Sequence, residues 1–420
     1  MNSLKLVSFL GLVVFVGLAW AMSQNRKLFP WRTVLWGLGL QFSFAVLILK
    51  TPWGAAVFDF TGRAINKLIQ FSSEGALFVF GPLADQSTLQ SAFPRQPLIF
   101  AVLVTATIIL VAALSSLFYH WGLLQRVVRA IAWVMRKVMR TSGSETLAAA
   151  ANIFMGQTEA PLVIKPYVAR MTRSELMCLM TGGMATIAGG VAAVYVKMGI
   201  DAGHPNIAGH LLTASVMSAP AALLISKVML PETEKSETAG GAPADVPRTT
   251  VNSIDALCRG ASDGMMLSIN VLAMLIAFIA VVALVNYLLT FGQSSLGVAH
   301  PVTLQTFFGW INAPFAWLMG VPAQDCTAIG RVLGERIVLN EFVGYVSLTG
   351  AELKLSERAF TLATYALCGF ANFSSIAIQV GGIGSLAPER RAEMAKLGLR
   401  AMIGGLLACY LTATIAGILI

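Results

Sequence analysis

Long apolar runs separated by short polar stretches set the pattern of this chain. A helix needs about 20 mostly apolar residues to cross a hydrocarbon core. Runs of that kind occupy residues 4–22, 33–49, 97–119, 176–196, 211–230, 262–289 and 398–420, and 361–383 is another, polar at its middle. Two segments show amphipathic periodicity instead. Residues 53–80 carry Asp59, Arg63, Lys67 and Glu74 among aromatics and read as an interfacial helix with a turn. Residues 123–140 interleave Arg126, Arg129, Arg136, Lys137 and Arg140 with Val127, Ile131, Val134 and Val138. That pattern predicts a basic helix on an anionic inner leaflet, the alternative being a solvated helix at a subunit contact. Residues 231–250, "PETEKSETAGGAPADVPRTT", are polar and rich in Pro, Gly and Ala, and read as a flexible linker between two halves.

Composition agrees with an all-α integral membrane protein of about eight transmembrane helices. Of 420 residues, 56% are hydrophobic and 12% charged, against about 25% charged in soluble domains. The net charge of +9 does not signal nucleic-acid binding, because Lys and Arg flank the apolar spans as orientation signals do. The five cysteines are scattered, without a CxxC, and read as buried thiols; no two of the four histidines stand at metal-ligand spacing. The first apolar run ends in Ala19-Trp20-Ala21, which resembles a signal-peptide cleavage site. Its basic residues, Arg26, Lys27 and Arg32, follow the run rather than precede it, so a retained helix with its N-terminus outside is expected.

The positive-inside rule then predicts two re-entrant hairpins. With the N-terminus outside, the loop 23–32 and the basic helix 123–140 are inside. Lys165, Arg170 and Arg173 are inside only if 143–169 enters the membrane and returns without crossing. Arg390, Arg391, Lys396 and Arg400 are inside only if a segment near 325–348 does likewise from the other face. Eight full spans remain, with both termini outside.

The hairpins carry the polar motifs. "ANIFMGQTEAPLV" (151–163) places Gln157, Thr158 and Glu159 at the first tip, between Gly156 and Pro161. "RIVLNEFVGY" (336–345) places Asn340 and Glu341 in the second. An ionised carboxylate at the bilayer centre costs about 2.5–3.5 kcal/mol on insertion scales, so Glu159 and Glu341 call for a function. Each hairpin is followed by a helix interrupted at its centre, "TGGMATIAGGVAA" around Thr186 and "GFANFSSIAI" with Asn372, Ser374 and Ser375. The order hairpin, broken helix, final helix thus occurs twice from opposite sides, the inverted repeat of secondary transporters. It divides the chain into 1–140 and 231–324 as scaffold, the latter with the linker, a long helix and an interfacial helix, and 141–230 and 325–420 as the two repeats.

Amides, hydroxyls and carboxylates at one depth suit a neutral, hydroxyl-rich solute, with Phe370 and Phe373 as aromatic surface. Taken singly, Thr186, Asn372, Ser374 and Ser375 also fit interhelical hydrogen bonding, Phe370 fits packing, and Glu335 and Arg336 fit pairing with each other or snorkelling.

"GQTEAP", "NEFV" and "CGFANFSSIAI", with "GVP" (320–322) before the second, resemble the concentrative nucleoside transporter family over about residues 30–420. The resemblance implies eight spans, two re-entrant hairpins, a homotrimer and cation-coupled nucleoside import. It implies a substrate site in which Gln157, Thr158 and Glu159 face the nucleobase and Glu341, Asn372 and Ser375 the ribose hydroxyls. Phe370, Val191 and, by a looser alignment, Leu267 would form apolar walls. It also implies a sodium site of Asn152 and Thr186 side-chain oxygens with carbonyls of Met155, Thr186 and Ile187. An Asn at position 152 favours sodium over protons as the coupling ion. The short form implies a bacterial inner membrane with periplasmic termini. Sodium binding would order the first hairpin tip, and the hairpin core would move against the scaffold. A channel, a nucleobase or sugar carrier, and a membrane enzyme with Glu159 and Glu341 as acid and base are the competing readings. The enzyme lacks a visible nucleophile, metal site or phosphate loop.

Overall fold

The computed structural model describes residues 3–93, 99–240, 250–298, 301–350 and 353–420. The start of the expected span 97–119 and residues 241–249 of the expected linker lie outside these. Eighteen α-helices form the described chain, and the apolar pattern explains most of them. α1 (Ser3–Ala21) and α2 (Trp31–Lys50) come first, then α3 (Pro52–Phe80) and the short α4 (Gln86–Ala92). α5 (Phe100–His120) runs into α6 (Leu123–Met139), the basic helix. Gly122, at φ +72°, takes the left-handed conformation that lets α6 turn 76° away from α5. α6 thus lies across the direction of the spanning helix, as its amphipathic pattern predicts.

The first hairpin is α7 (Gly143–Asn152), an irregular tip, a 3₁₀ turn at Ala160–Ile164 and α8 (Lys165–Val168). α9 (Arg173–Ala185) and α10 (Gly189–Asp201) are one interrupted helix, followed by α11 (Ile207–Met229). α12 (Ser253–Ser295) is a single helix of 43 residues, and α13 (Leu304–Leu318) leads to the second half. There the same order returns: a hairpin of α14 (Cys326–Val338) and α15 (Glu341–Thr349), the broken pair α16 (Glu357–Leu367) and α17 (Phe373–Gly382), and α18 (Arg391–Leu419). α11 and α18, the closing helices of the two repeats, pack on each other and are buried along most of their lengths. α1, α2, α11 and Pro388–Leu419 are each long and apolar enough to cross a membrane, among the described residues. Apolar side chains such as Phe9, Trp36, Ile276 and Leu284 face outward, as lipid contact requires.

α12 lies along α5. Gly260 and Gly264 form a GxxxG stripe at that contact. A Cβ on Gly260 would stand 2.7 Å from the Ala112 carbonyl oxygen, and one on Gly264 would stand 2.8 Å from Ile109 Cα. Small residues are what let two membrane helices approach this closely.

Two expectations are corrected. Residues 53–80 contain no turn: α3 is continuous for 29 residues, started by the Thr51 cap and Pro52, and the turn follows it at Gly81, φ +57°. The described part of the expected flexible linker, 231–240, is docked. The Thr238 carbonyl accepts from Gly143 N–H at 2.8 Å, and its hydroxyl accepts from Ser144 N–H at 3.1 Å, so this strap satisfies the free N-terminal donors of α7. Ser236 donates to Glu175 at 2.6 Å. Glu232, Ser236 and Thr238, in a stretch that read as a flexible linker, thus have buried partners at the hairpin base.

The base itself is an ionic cluster. Lys227 of α11 sits 2.7 Å from Glu145 and 3.2 Å from Glu232, and donates to Ser174 Oγ at 3.0 Å. Glu145 and Glu175 also close capping boxes at the starts of α7 and α9. Because Lys227 and Glu145 are both buried, Lys227→Met alone should lower stability by about 3–5 kcal/mol by stranding the carboxylate. Adding Glu145→Met should restore much of the loss; thermal unfolding in detergent measures both.

Candidate functional site

Two helix breaks create the site. α9 stops at Ala185 and α10 begins at Gly189; α16 stops at Leu367 and α17 begins at Phe373. Backbone groups freed at membrane depth must find partners inside the protein. The two breaks satisfy each other: Phe370 N–H donates to the Thr186 carbonyl at 3.2 Å. Each new half-helix in the second repeat starts with an asparagine cap. Asn340 Oδ1 accepts from Val343 N–H at 3.0 Å, and Asn372 Oδ1 accepts from Ser375 N–H at 2.9 Å. The asparagines of the "NEFV" and "ANFSS" motifs are therefore first of all the reason the chain can restart a helix there.

Both hairpin tips meet these breaks. Gln157 is buried; its Nε2 donates to Ser375 Oγ at 3.1 Å and its Oε1 accepts from Gln379 Nε2 at 3.1 Å. Gln379 also donates to the Met180 carbonyl at 3.0 Å, which ties the first tip to α17 and α9 together. Glu341, the first residue of α15, is buried and accepts from the Tyr195 hydroxyl at 3.1 Å and from Asn372 Nδ2 at 2.9 Å. Tyr195 is held by stacking on Tyr345, centroids 4.0 Å apart. Gln157, Glu341, Asn372 and Ser375 thus form one hydrogen-bonded set.

Thr158, Glu159, Leu267 and Phe370 are less enclosed. Thr158 and Glu159 are exposed at the first tip. Glu159 Oε2 accepts from Gly156 N–H at 3.3 Å, and the charge of Asp263 on α12 acts on it. Thr158 stands over Gly382, where a Cβ would come within 2.9 Å of its methyl group. Val191, in the first turn of α10, is buried; Leu267 and Phe370 are half-buried against the core.

Asn152 and Thr186 converge on Gly182. A Cβ there would stand 3.1 Å from Asn152 Nδ2, and Thr186 Oγ1 donates to the Gly182 carbonyl at 3.0 Å. Asn152 Oδ1 is buried with no hydrogen-bond partner, and buried polar atoms are seldom left so. Met155, at the tip, and Ile187, in the break, add backbone carbonyls on the same two stretches. A neutral amide oxygen left without a donor is able to serve a hard cation as a ligand.

Three residues of the network were not singled out for it from the sequence. Gln379 lies one helical turn beyond Ser375, and Tyr195 one turn beyond Val191, so helical spacing alone could have found them. Arg336 was read as snorkelling or pairing with Glu335. Instead its side chain is fully buried, while Glu335 pairs with Arg331 at 3.1 Å. Its Nη1 donates to the Ala366 carbonyl and its Nη2 reaches Cys409 Sγ at 3.2 Å. Packing against the α16 terminus overrides the local pairing.

Comparison with known proteins follows the same elements. Residues 10–83 and 210–417 match the N- and C-terminal families described as Na+ dependent nucleoside transporter, and residues 101–202 match a family described as nucleoside recognition. An uncharacterized transporter of Haemophilus influenzae is 42% identical, over 99% of this chain and 98% of its own. The sodium/nucleoside cotransporter 2 of Rattus norvegicus is 38% identical over 99% of this chain and 63% of its own length. The chain belongs to the concentrative, Na+-dependent nucleoside transporter family. The structure of CNTnw in an inward-facing substrate-bound state superposes with a TM-score of 0.91, at 36% identity over 99% of this chain and 97% of that one. A variant of CNTnw in an outward-facing state does so at 0.91 and 35%, covering 99% and 98%. The fold is accordingly the family's all-α membrane fold, with its inverted repeat and broken, re-entrant helices, and these relatives are transporters rather than enzymes.

Tyr195→Phe keeps the aromatic stacking but removes a donor from a buried carboxylate. It should lower stability by about 1.5–3 kcal/mol, and little in a Glu341→Gln background, as read by thermal unfolding of the purified protein.

Proposed function

We propose that this protein is a secondary active carrier that imports nucleosides by sodium symport, through alternating access. The observation that carries the reading is the buried Glu341 carboxylate, held by Tyr195 and Asn372 at one helix break and joined through Ser375 to the Gln157 amide of the opposite hairpin. A carboxylate that accepts from paired ribose hydroxyls is charge-assisted and selective. Gln157, Thr158 and Glu159 offer hydrogen-bonding groups for a base edge, and Val191, Leu267 and Phe370 offer apolar walls. Kinship with proteins described as sodium/nucleoside cotransporters supports the solute class, and likeness to both inward- and outward-facing structures of CNTnw supports alternating access.

Sodium is the coupling ion in this reading, held by Asn152 and Thr186 with the carbonyls of Met155, Thr186 and Ile187. The unsatisfied Asn152 Oδ1 supports it. The ion supplies positive charge that satisfies oxygens from the first tip and the first break at once. A cation that binds better when the solute is present must, by linkage, raise solute affinity equally. The two repeats, 141–230 and 325–420, move as the carrier core against 1–140 and 231–324. The working form is a homotrimer in a bacterial inner membrane, both termini periplasmic, a placement supported by the basic residues of α6 and by bacterial relatives.

Vesicles holding the protein should accumulate labelled uridine above the outside concentration only under an inward sodium gradient. Accumulation driven equally by a proton gradient without sodium would replace sodium by protons, and mere equilibration would indicate a channel. Asn152→Ala should raise the sodium concentration for half-maximal uptake by about tenfold, the loss of one charge-assisted contact of roughly 1.4 kcal/mol. An unchanged sodium dependence refutes the ion site.

A further inference from the structure

Arg336 is a full positive charge with no exposed surface, in the last turn of α14 and five residues before Glu341. A buried guanidinium needs acceptors for five N–H groups. Here Nη1 donates to Ala366 O, Nη2 to Cys409 Sγ at 3.2 Å, and Nε has no hydrogen-bond partner. So incomplete a set makes a poor structural anchor, and packing alone gives no reason for a cation here.

Two features give that reason. Ala366 is in the last turn of α16, whose dipole places negative charge there. Glu341, at the head of α15 and five residues on from Arg336, accepts from Asn372 Nδ2 beyond the same break at 2.9 Å. Arg336 therefore ties the arm of the second hairpin, which ends just before Glu341, to the stump of the broken helix, which resumes after Asn372. Cys409 extends this hub, since its thiol also faces the carbonyls of Ala185 and Cys368, the ends of α9 and α16. Both helix breaks thus border the atom that Arg336 touches.

We propose that Arg336 is a positioning residue for the solute: it fixes Glu341 relative to Asn372 and Ser375 so that the carboxylate meets the solute's hydroxyls. Arg336 does not itself touch solute. The inference rests on the nucleoside reading above, because it assigns Glu341 to hydroxyl recognition. It excludes the alternative that Arg336 only caps α16, and the two roles differ in what they do to selectivity. A cap supports every solute alike. A positioning residue matters only for a solute with hydroxyls for Glu341 to accept.

The test compares uridine with 2′,3′-dideoxyuridine, in proteoliposomes under a sodium gradient, for the wild type, Arg336→Gln, Arg336→Lys and Glu341→Gln. Arg336→Gln is expected to raise the KM for uridine by on the order of ten- to a hundredfold, the scale of a lost charge-assisted contact. The KM for dideoxyuridine should move by less than about twofold, well inside that scale. In a Glu341→Gln background the same substitution should change neither. Arg336→Lys keeps the charge but replaces the fork by one donor group, so it should show a smaller loss confined to uridine. That variant carries the test if Arg336→Gln does not insert. Equal losses for both solutes, or a loss that persists without Glu341, overturn the proposal and leave the carrier reading standing. Failure of the wild type to take up uridine overturns both.

Discussion

The constraint behind this structure is that a helix broken inside a bilayer exposes backbone donors and acceptors that water cannot reach. Most of the chain avoids the problem by staying helical. Where it does not, several freed groups have specific answers. Phe370 N–H meets the Thr186 carbonyl across the two breaks, Asn340 and Asn372 cap the half-helices they begin, and Arg336 answers the carbonyl of Ala366. The candidate binding groups are the same residues or their immediate neighbours. Binding chemistry sits at the breaks because polar side chains are required there in any case, and a solute can share the partners they provide.

The two ionic centres of the protein follow opposite logics. At the base of the first hairpin, Lys227, Glu145 and Glu232 are paired at short range and surrounded by Ser and Thr donors, including those of the strap 231–240. That cluster is saturated and serves to fix α7, α9 and α11 to one another. Around Glu341 the carboxylate oxygens are met by two neutral donors, the Tyr195 hydroxyl and Asn372 Nδ2. Saturated charge suits a joint that must not open. Charge with capacity to spare suits a place where a further hydroxyl is to be received.

Fold class and the twofold order of hairpin, broken helix and closing helix were legible in the sequence, because they follow from run lengths, Lys and Arg placement and the polar interruptions at Thr186 and Asn372. What stayed hidden depends on contacts between distant segments. The turn expected inside 53–80 was inferred from charges among aromatics, which a long amphipathic helix accommodates equally well. The strap 231–240 read as a flexible linker, since nothing in "PETEKSETAG" reveals that Thr238 would cap α7 across 94 residues of chain. Arg336 was misread because local spacing points to Glu335, whereas its partners, Ala366 and Cys409, come from α16 and α18. Gln379 and Tyr195, by contrast, could have been found by following the faces of Ser375 and Val191 one turn further.

The same geometry gives a physical route from ion to solute. Asn152 and Thr186 converge on Gly182, and the carbonyl of Thr186 already accepts from Phe370. A cation bound to oxygens at this point would draw the first tip and the first break together. Held through Thr186, the Phe370 backbone would then be held as well, and with it the stretch that presents Asn372 and Ser375 two and five residues further on. Gln157, on the same tip as the proposed ion ligands, is bonded to Ser375 from the other side. In the proposed reading, ordering by the ion and ordering by the solute would act on one set of hydrogen bonds, so that each would lower the conformational cost of the other without a contact between them. Coupling of this kind needs no separate relay, because the second break is fastened to the first by a single backbone hydrogen bond.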